Sequence, residues 1–166
     1  MAAELAVVVE QLLAPVPGGT GRYSRELTAA LAASIPAGTT PGSAVSGWCA
    51  WHRETDAARI PGVRGPRRLP VPRRALAELW RRGLGPAPSA AVVHAPTLLL
   101  PPRRRGTALV ATIHDAVPWT HPETLTPRGV GWHRDMGERA AAEADVVLVP
   151  TQAVADELRR HLTPRR

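Results

Sequence analysis

Two hydrophobic rhythms alternate along the chain. Short unbroken apolar runs mark strands buried on both faces, and between them apolar residues return every three or four positions, as on one side of a helix. The first run is LAVVV at residues 5–9, and after the stretch PVPGGTG at 15–21 the pattern predicts a helix. Tyr23, Leu27, Ala30, Leu31 and Ser34 fall on one face of it. Residues 36–43 read as a turn-rich connection, and 45–51 as a second strand in which Cys49 is a small buried apolar group. Residues 52–72 hold Arg, Pro and Gly with little periodicity. They read as a surface excursion around a short strand near Leu69 and Val71. Residues 73–82 read as a helix with Leu76, Leu79 and Trp80 on one side and arginine pairs at both ends.

The second half repeats the alternation. Strands are predicted at 91–97, 109–115 and 145–150, with a basic loop at 101–106. Thr126 before Pro127 reads as an N-cap followed by proline at the first helical position, and that helix turns Trp132, Met136, Ala140 and Ala144 inward. Thr151 caps a last helix with Val154, Leu158 and Leu162 as its stripe, and Pro164 stops it. No internal repeat is visible. Alternating strands and helices predict an α/β fold, one mostly parallel sheet with helices on both faces, as a single domain over residues 1–166.

Composition narrows the function classes. The hydrophobic share is 44% and the charged share 21%, which fits a globular chain and not a disordered one. One cysteine excludes a disulfide scaffold and a cysteine zinc site. The 21 basic and 14 acidic residues leave a net charge of +7. Every basic residue is arginine, with no Lys, Phe or Asn, so codon bias accounts for much of the charge. A nucleic-acid binder would interleave arginines with aromatics on one face, yet four of the five tryptophans lie outside the arginine-dense segments. The N-terminus carries Glu4 and Glu10 and lacks a basic region typical of an export signal, and the longest uncharged stretch is broken by prolines and glycines. These features, with the single thiol, point to the cytoplasm.

Candidate chemistry gathers at one end of the expected sheet. In open α/β sheets, ligands bind beyond the carboxyl ends of the strands. The glycine loop at 18–21, His94, the pair His114 and Asp115, and Thr151 all fall there. The loop lets backbone approach a ligand closely, and the helix after it offers free N–H groups, which suits a phosphate or a hydroxyl-rich ligand; a plain tight turn is the other reading. It is neither a dinucleotide fingerprint nor a Walker loop. His121, Glu123 and His133 are too irregularly spaced to read as metal ligands, and no serine sits in a nucleophile elbow. Residues 73–82 combine a narrow apolar stripe with flanking charge. That suits a helix lying on anionic lipid through Arg73, Arg74, Arg81 and Arg82; a core-facing helix is the alternative.

Four stretches in order resemble the N-terminal half of family 4 glycosyltransferases: GGTGRYSREL at 18–27, VVHAP at 92–96, ATIHD at 111–115 followed by Pro118, Pro122 and Glu123, and ADVVLVPTQAVADEL at 144–158. Their order and spacing match over almost the whole chain, while residues 36–72 add nothing. The resemblance implies one Rossmann-like half of a GT-B architecture. In it the N-terminal domain mainly holds the acceptor, and a C-terminal domain holds the nucleotide-sugar. Transfer retains the anomeric configuration and uses no metal and no cofactor besides the nucleotide-sugar co-substrate. By the same resemblance, Gly18, Gly19, Thr20 and Gly21 lie against the donor phosphates and the acceptor. His114 bonds the transferred sugar or its acceptor, Asp115 shapes the turn beneath it, and His94 and Arg22 line the site. Thr151 stands where the family more often has serine. The implied partners are a glycan or lipid-linked acceptor and the donor-binding domain that these residues do not include; the arginines of 73–82 add an anionic membrane face, and the tryptophan distribution argues against nucleic acid. Turnover by residues 1–166 alone is not expected. A stand-alone Rossmann-like module that binds a phosphate or nucleotide without catalysis is the competing reading.

Overall fold

Ala6 and Val8 pack into one apolar layer, and Val7 and Val9 into another, so the first strand, β1 (Glu4–Val8), is covered on both faces. The computed structural model describes residues 4–34 and 44–163. After β1 come α1 (Gly18–Ser34), β2 (Ala44–Trp51), β3 (Arg64–Pro72), α2 (Arg73–Arg81), β4 (Val92–Ala95) and β5 (Ala108–Thr112). They are followed by α3 (Val117–Thr120), α4 (Pro127–Glu143), β6 (Val146–Leu148) and α5 (Gln152–Leu158). Short 3-10 turns stand at Glu10–Leu13, Asp56–Ala58 and Pro122–Thr124. The strands form one sheet in the order β3-β2-β1-β4-β5-β6, and every pairing is parallel. This is the α/β architecture expected from the alternation, in the Rossmann-like form that the resemblance implied. All carboxyl ends meet one rim, and the order reverses between β1 and β4, where such sheets open a crevice.

The larger apolar layer joins Ala6, Val8 and Val93 of the sheet to Leu76 and Trp80 of α2 and Met136 and Ala140 of α4. The smaller joins Val7, Val9, Leu12 and Val45 under Ala29, Leu31 and Ala32 of α1. Helices therefore cover both faces. Cys49 is buried, and burial, reinforced by the nearby Glu10 carboxylate, pushes its thiol up to about 11. It behaves as the apolar filler expected. The caps hold as well: Thr126 Oγ1 accepts from Gly129 N at 3.1 Å and Thr151 Oγ1 from Val154 N at 3.2 Å.

Several expectations need correction. The glycines at 18–21 are not a loop: they form the first turn of α1. The face that α1 buries carries Gly21, Ser24 and Thr28, while Ala30 and Ser34 are exposed. Small residues let the helix sit close to the sheet, and each hydroxyl satisfies itself on a carbonyl four residues back, Ser24 on Thr20 at 2.7 Å and Thr28 on Ser24. The excursion at 52–72 contains a nine-residue edge strand, β3, of which only Leu69 is buried among its residues. An edge strand facing water needs few apolar residues, so periodicity was a weak signal there. β5 ends at Thr112, short of 115. Ile113 N still donates to Leu148 O at 2.9 Å, and then Asp115 Oδ1 accepts from Val117 N at 2.9 Å and turns the chain into α3. The connection at 36–43 and the stop at Pro164 lie outside the described residues.

Candidate functional site

The rim at the carboxyl ends carries two adjoining cavities. The smaller, about 110 Å³, is lined by Thr20 of α1, by residues 112–115 at the end of β5 and just beyond it, by Leu98 and Pro118, and by Trp132 and His133 of α4. The structure thus brings together Thr20, His114 and Asp115, which stand far apart in the chain. The larger, about 360 Å³, shares Trp132 and His133 and runs along the switch point between β1 and β4. A third hollow of about 270 Å³ between α4, β6 and α5 is walled mainly by Ala, Val, Leu and Ile side chains and lies apart from these residues.

His114 is half-buried and held from two sides. Its Nε2 lies 2.8 Å from the Pro96 carbonyl oxygen, and Tyr23 of α1 meets the ring edge-on, with centroids 4.8 Å apart. A carbonyl can only accept, so Nε2 carries a hydrogen and donates it to Pro96. These two contacts fix the ring, and Nδ1 is the nitrogen that Pro96 does not engage. Tyr23 counted above only as a helix-face residue, and its second role comes from the crossing of α1 over the rim. Asp115 is exposed and spends one oxygen on the turn into α3.

The first turn of α1 meets the same cavity. Pro17 O collects Gln11 Nε2 at 3.0 Å, Gly21 N at 3.0 Å and the Thr20 hydroxyl at 3.3 Å. The N–H groups ahead of Gly21 have no intrahelical partner, which leaves a positive helix end at the rim. A Cβ added at Gly21 would run into Pro17, whereas Gly18 and Gly19 face open space.

The remaining sequence candidates sit differently. His94 is only 4% exposed, and its Nε2 lies 2.9 Å from Thr112 Oγ1. Burial pushes its pKa down to about 4, so it is a neutral ring beneath Thr112 and lines neither rim cavity. Arg22 is exposed on α1, and Thr151 spends its hydroxyl as a helix cap. Helix α2 buries its apolar stripe: Leu76 and Trp80 are inside, and Trp80 Nε1 donates to Pro86 O at 2.8 Å. Its arginines separate. Arg81 is clamped by Glu78 and Asp135, and Arg82 by Glu78, whereas Arg73 and Arg74 line the larger cavity.

Sequence reasoning missed Glu10, a carboxylate buried at the end of β1. Its Oε2 accepts from Ala50 N at 2.8 Å, and its Oε1 lies 2.7 Å from His52 Nε2 and 3.5 Å from Arg73 Nε. The one available signal was an acidic residue directly after a buried strand. His133 was weighed only as a metal ligand, yet it lines both cavities.

Among the described residues no helix is long and apolar enough to cross a membrane. No curated protein matches the chain. The model of Glycosyltransferase Family 4 matches residues 17–166, which takes in α1, the rim at 112–115 and the three helices α3, α4 and α5 that follow. The chain belongs to glycosyltransferase family 4, and its rim is that of a glycosyltransferase-like domain.

Proposed function

We propose that residues 1–166 are the acceptor-side domain of a retaining glycosyltransferase that takes its sugar from a nucleotide-sugar held by a second domain. The observation that carries this reading is the convergence of Thr20, His114 and Asp115 on one cavity at the carboxyl rim. In the reading, His114 Nδ1 accepts a hydrogen bond from a sugar hydroxyl, and the Pro96 carbonyl keeps the ring in the tautomer that can do so. The N-terminal turn of α1 turns its unpaired N–H groups toward the donor phosphates. Glycine at 18 and 19 leaves room for that approach. Leu98, Pro118 and Trp132 wall the cavity and keep water from competing. No metal and no further cofactor takes part, and the domain works in the cytoplasm.

The test is a transfer assay on the two-domain enzyme with a panel of nucleotide-sugars, the product anomer being read by proton NMR. Retained configuration, lost on His114→Ala, is the expected result. Inverted product, or full activity in His114→Ala, overturns the reading. Nucleotide or phosphate binding with no transfer to any acceptor would favour a binding module instead.

A further inference from the structure

The larger rim cavity has a charge pattern that sugar-hydroxyl chemistry leaves unexplained. Its polar wall is Glu10, Gln11, Arg73, Arg74, Thr97 and His133, with Trp132 beside them. Glu10 is not free to bind a cation, because both its oxygens are occupied by Ala50 N, His52 and Arg73. It acts as an anchor. Arg73 is held through Nε alone, and its side chain is still 49% exposed. Arg74 makes no hydrogen bond and no ion pair among the described residues. His133 gives Nδ1 to the Gly129 carbonyl at 2.7 Å, which leaves Nε2.

The other end of the same helix is the control. Arg81 and Arg82 are neutralised by Glu78 and Asp135. The two arginines with charge to spare stand in the first turn of α2, where the helix dipole disfavours cations and where there is no acidic residue and no capping side chain. An oxyanion between the two guanidiniums offsets both repulsions and finds the forked donors that match its oxygens.

We propose that this cavity is an anion subsite in which Arg73 and Arg74 take a phosphate monoester group of a small-molecule acceptor. The proposal rests on the transfer reading of the neighbouring cavity. Trp132 and His133 line both spaces, so one acceptor spans them, its phosphate at Arg74 and its reacting hydroxyl near His114.

The experiment titrates residues 1–166 with inorganic phosphate, and with sodium chloride at equal ionic strength, while thermal stability and tryptophan emission are followed. Phosphate binding to the native state alone raises stability in a saturable way. Saturable stabilisation by phosphate and none by chloride is expected. Arg74→Gln removes no hydrogen bond or ion pair among the described residues and should weaken the apparent affinity by about tenfold or more, the loss of at least one charge-assisted hydrogen bond. Arg82→Gln should leave it unchanged. Equal responses to phosphate and chloride, or an unaltered affinity in Arg74→Gln, overturn the subsite. A parallel arm uses vesicles of phosphatidylglycerol in phosphatidylcholine. Binding to vesicles without binding to free phosphate, weakened equally by Arg74→Gln and Arg82→Gln, also overturns it and assigns the arginines to a membrane face. No step of the measurement involves sugar transfer. Phosphate binding in an enzyme that transfers nothing removes the transfer reading and keeps the subsite, while transfer to neutral acceptors without phosphate binding removes the subsite alone.

Discussion

Gly19 and Gly21 lie two positions apart in one helical turn, and only one of them is required by packing. At Gly21 a methyl group would collide with Pro17, so any larger residue must displace Pro17 or the first turn of α1. At Gly19 nothing stands within 4 Å and the backbone is ordinary, so the fold gains nothing from glycine there. Gly19→Ala should leave stability unchanged or raise it by up to about 1 kcal/mol, the helix-propensity difference. In the two-domain enzyme the same methyl should lower transfer by about tenfold or more, because it displaces the ligand that approaches the turn. Unchanged transfer would show that position 19 meets no ligand. His94 and His114 divide in a similar way. His114→Ala should lower turnover by at least about tenfold, a low figure for a positioned polar contact, with the melting temperature nearly kept. His94 instead governs acid stability. Its folded-state value of about 4 lies below the ordinary 6.5, so between those pH values the unfolded chain binds the extra proton. Stability from this group is complete above about pH 6.5 and is lost as pH falls toward 4. The loss from pH 7 to pH 4 is about 3 kcal/mol. Urea unfolding of the native chain and His94→Gln at both pH values checks it: the variant should lose less stability on acidification by about that amount, and equal losses would exclude His94 as the source.

At the scale of elements, one side chain of α4 binds two other segments to its helix. Arg139 is 8% exposed and donates to the carbonyls of Trp80 at the end of α2, of Leu100 at 2.8 Å and of Pro101 at 2.7 Å, while it pairs with Glu143 at 3.0 Å. Removing the guanidinium strands those carbonyls and leaves Glu143 without its partner. Arg139→Met should therefore cost about 3–5 kcal/mol in denaturant unfolding, and a cost under about 1 kcal/mol would mean that water replaces the clasp. The helical pattern offered only the i,i+4 partner Glu143, since the other partners of Arg139 are backbone carbonyls far away in the chain. Elements were legible where burial dictates pattern: β1, β2, β4 and α4 follow from apolar runs and the cap at Thr126. They were hidden where it does not. β3 is an arginine-rich edge, and α1 buries glycine and hydroxyls whose hydrogen bonds are satisfied within the helix. For the site, motif residues pointed to Thr20, His114 and Asp115, whereas Glu10 and the separation of the arginines of α2 needed the sheet order to appear.

At the scale of the whole molecule, the two apolar layers share one sheet, and β1 is the strand through which they are coupled. Val8 faces the larger layer and Val7 the smaller, one residue apart on the same backbone. β1 also pairs with both β2 and β4, at the switch point beside which the rim cavities open. A strand so placed cannot loosen on one side and stay ordered on the other without breaking its ladder bonds, so the layers should melt together. Trp80 is buried in the larger layer, and Trp48, Trp119 and Trp132 pack against it, while Trp51 is exposed. Tryptophan emission therefore reports mainly on that layer, whereas far-ultraviolet circular dichroism reports on helices of both. The two signals should give one coincident transition for the native chain. Val7→Ala, which opens a small cavity only on the opposite face, should destabilise by about 2 kcal/mol, between the cost of a one-methylene and a three-carbon deletion. Its tryptophan midpoint should fall by the same interval as its dichroism midpoint, although the nearest tryptophan layer is untouched. A dichroism transition that moves while tryptophan emission stays in place would mean that the smaller layer under α1 unfolds by itself, and that the first turn of α1 can leave the rim with the sheet still standing.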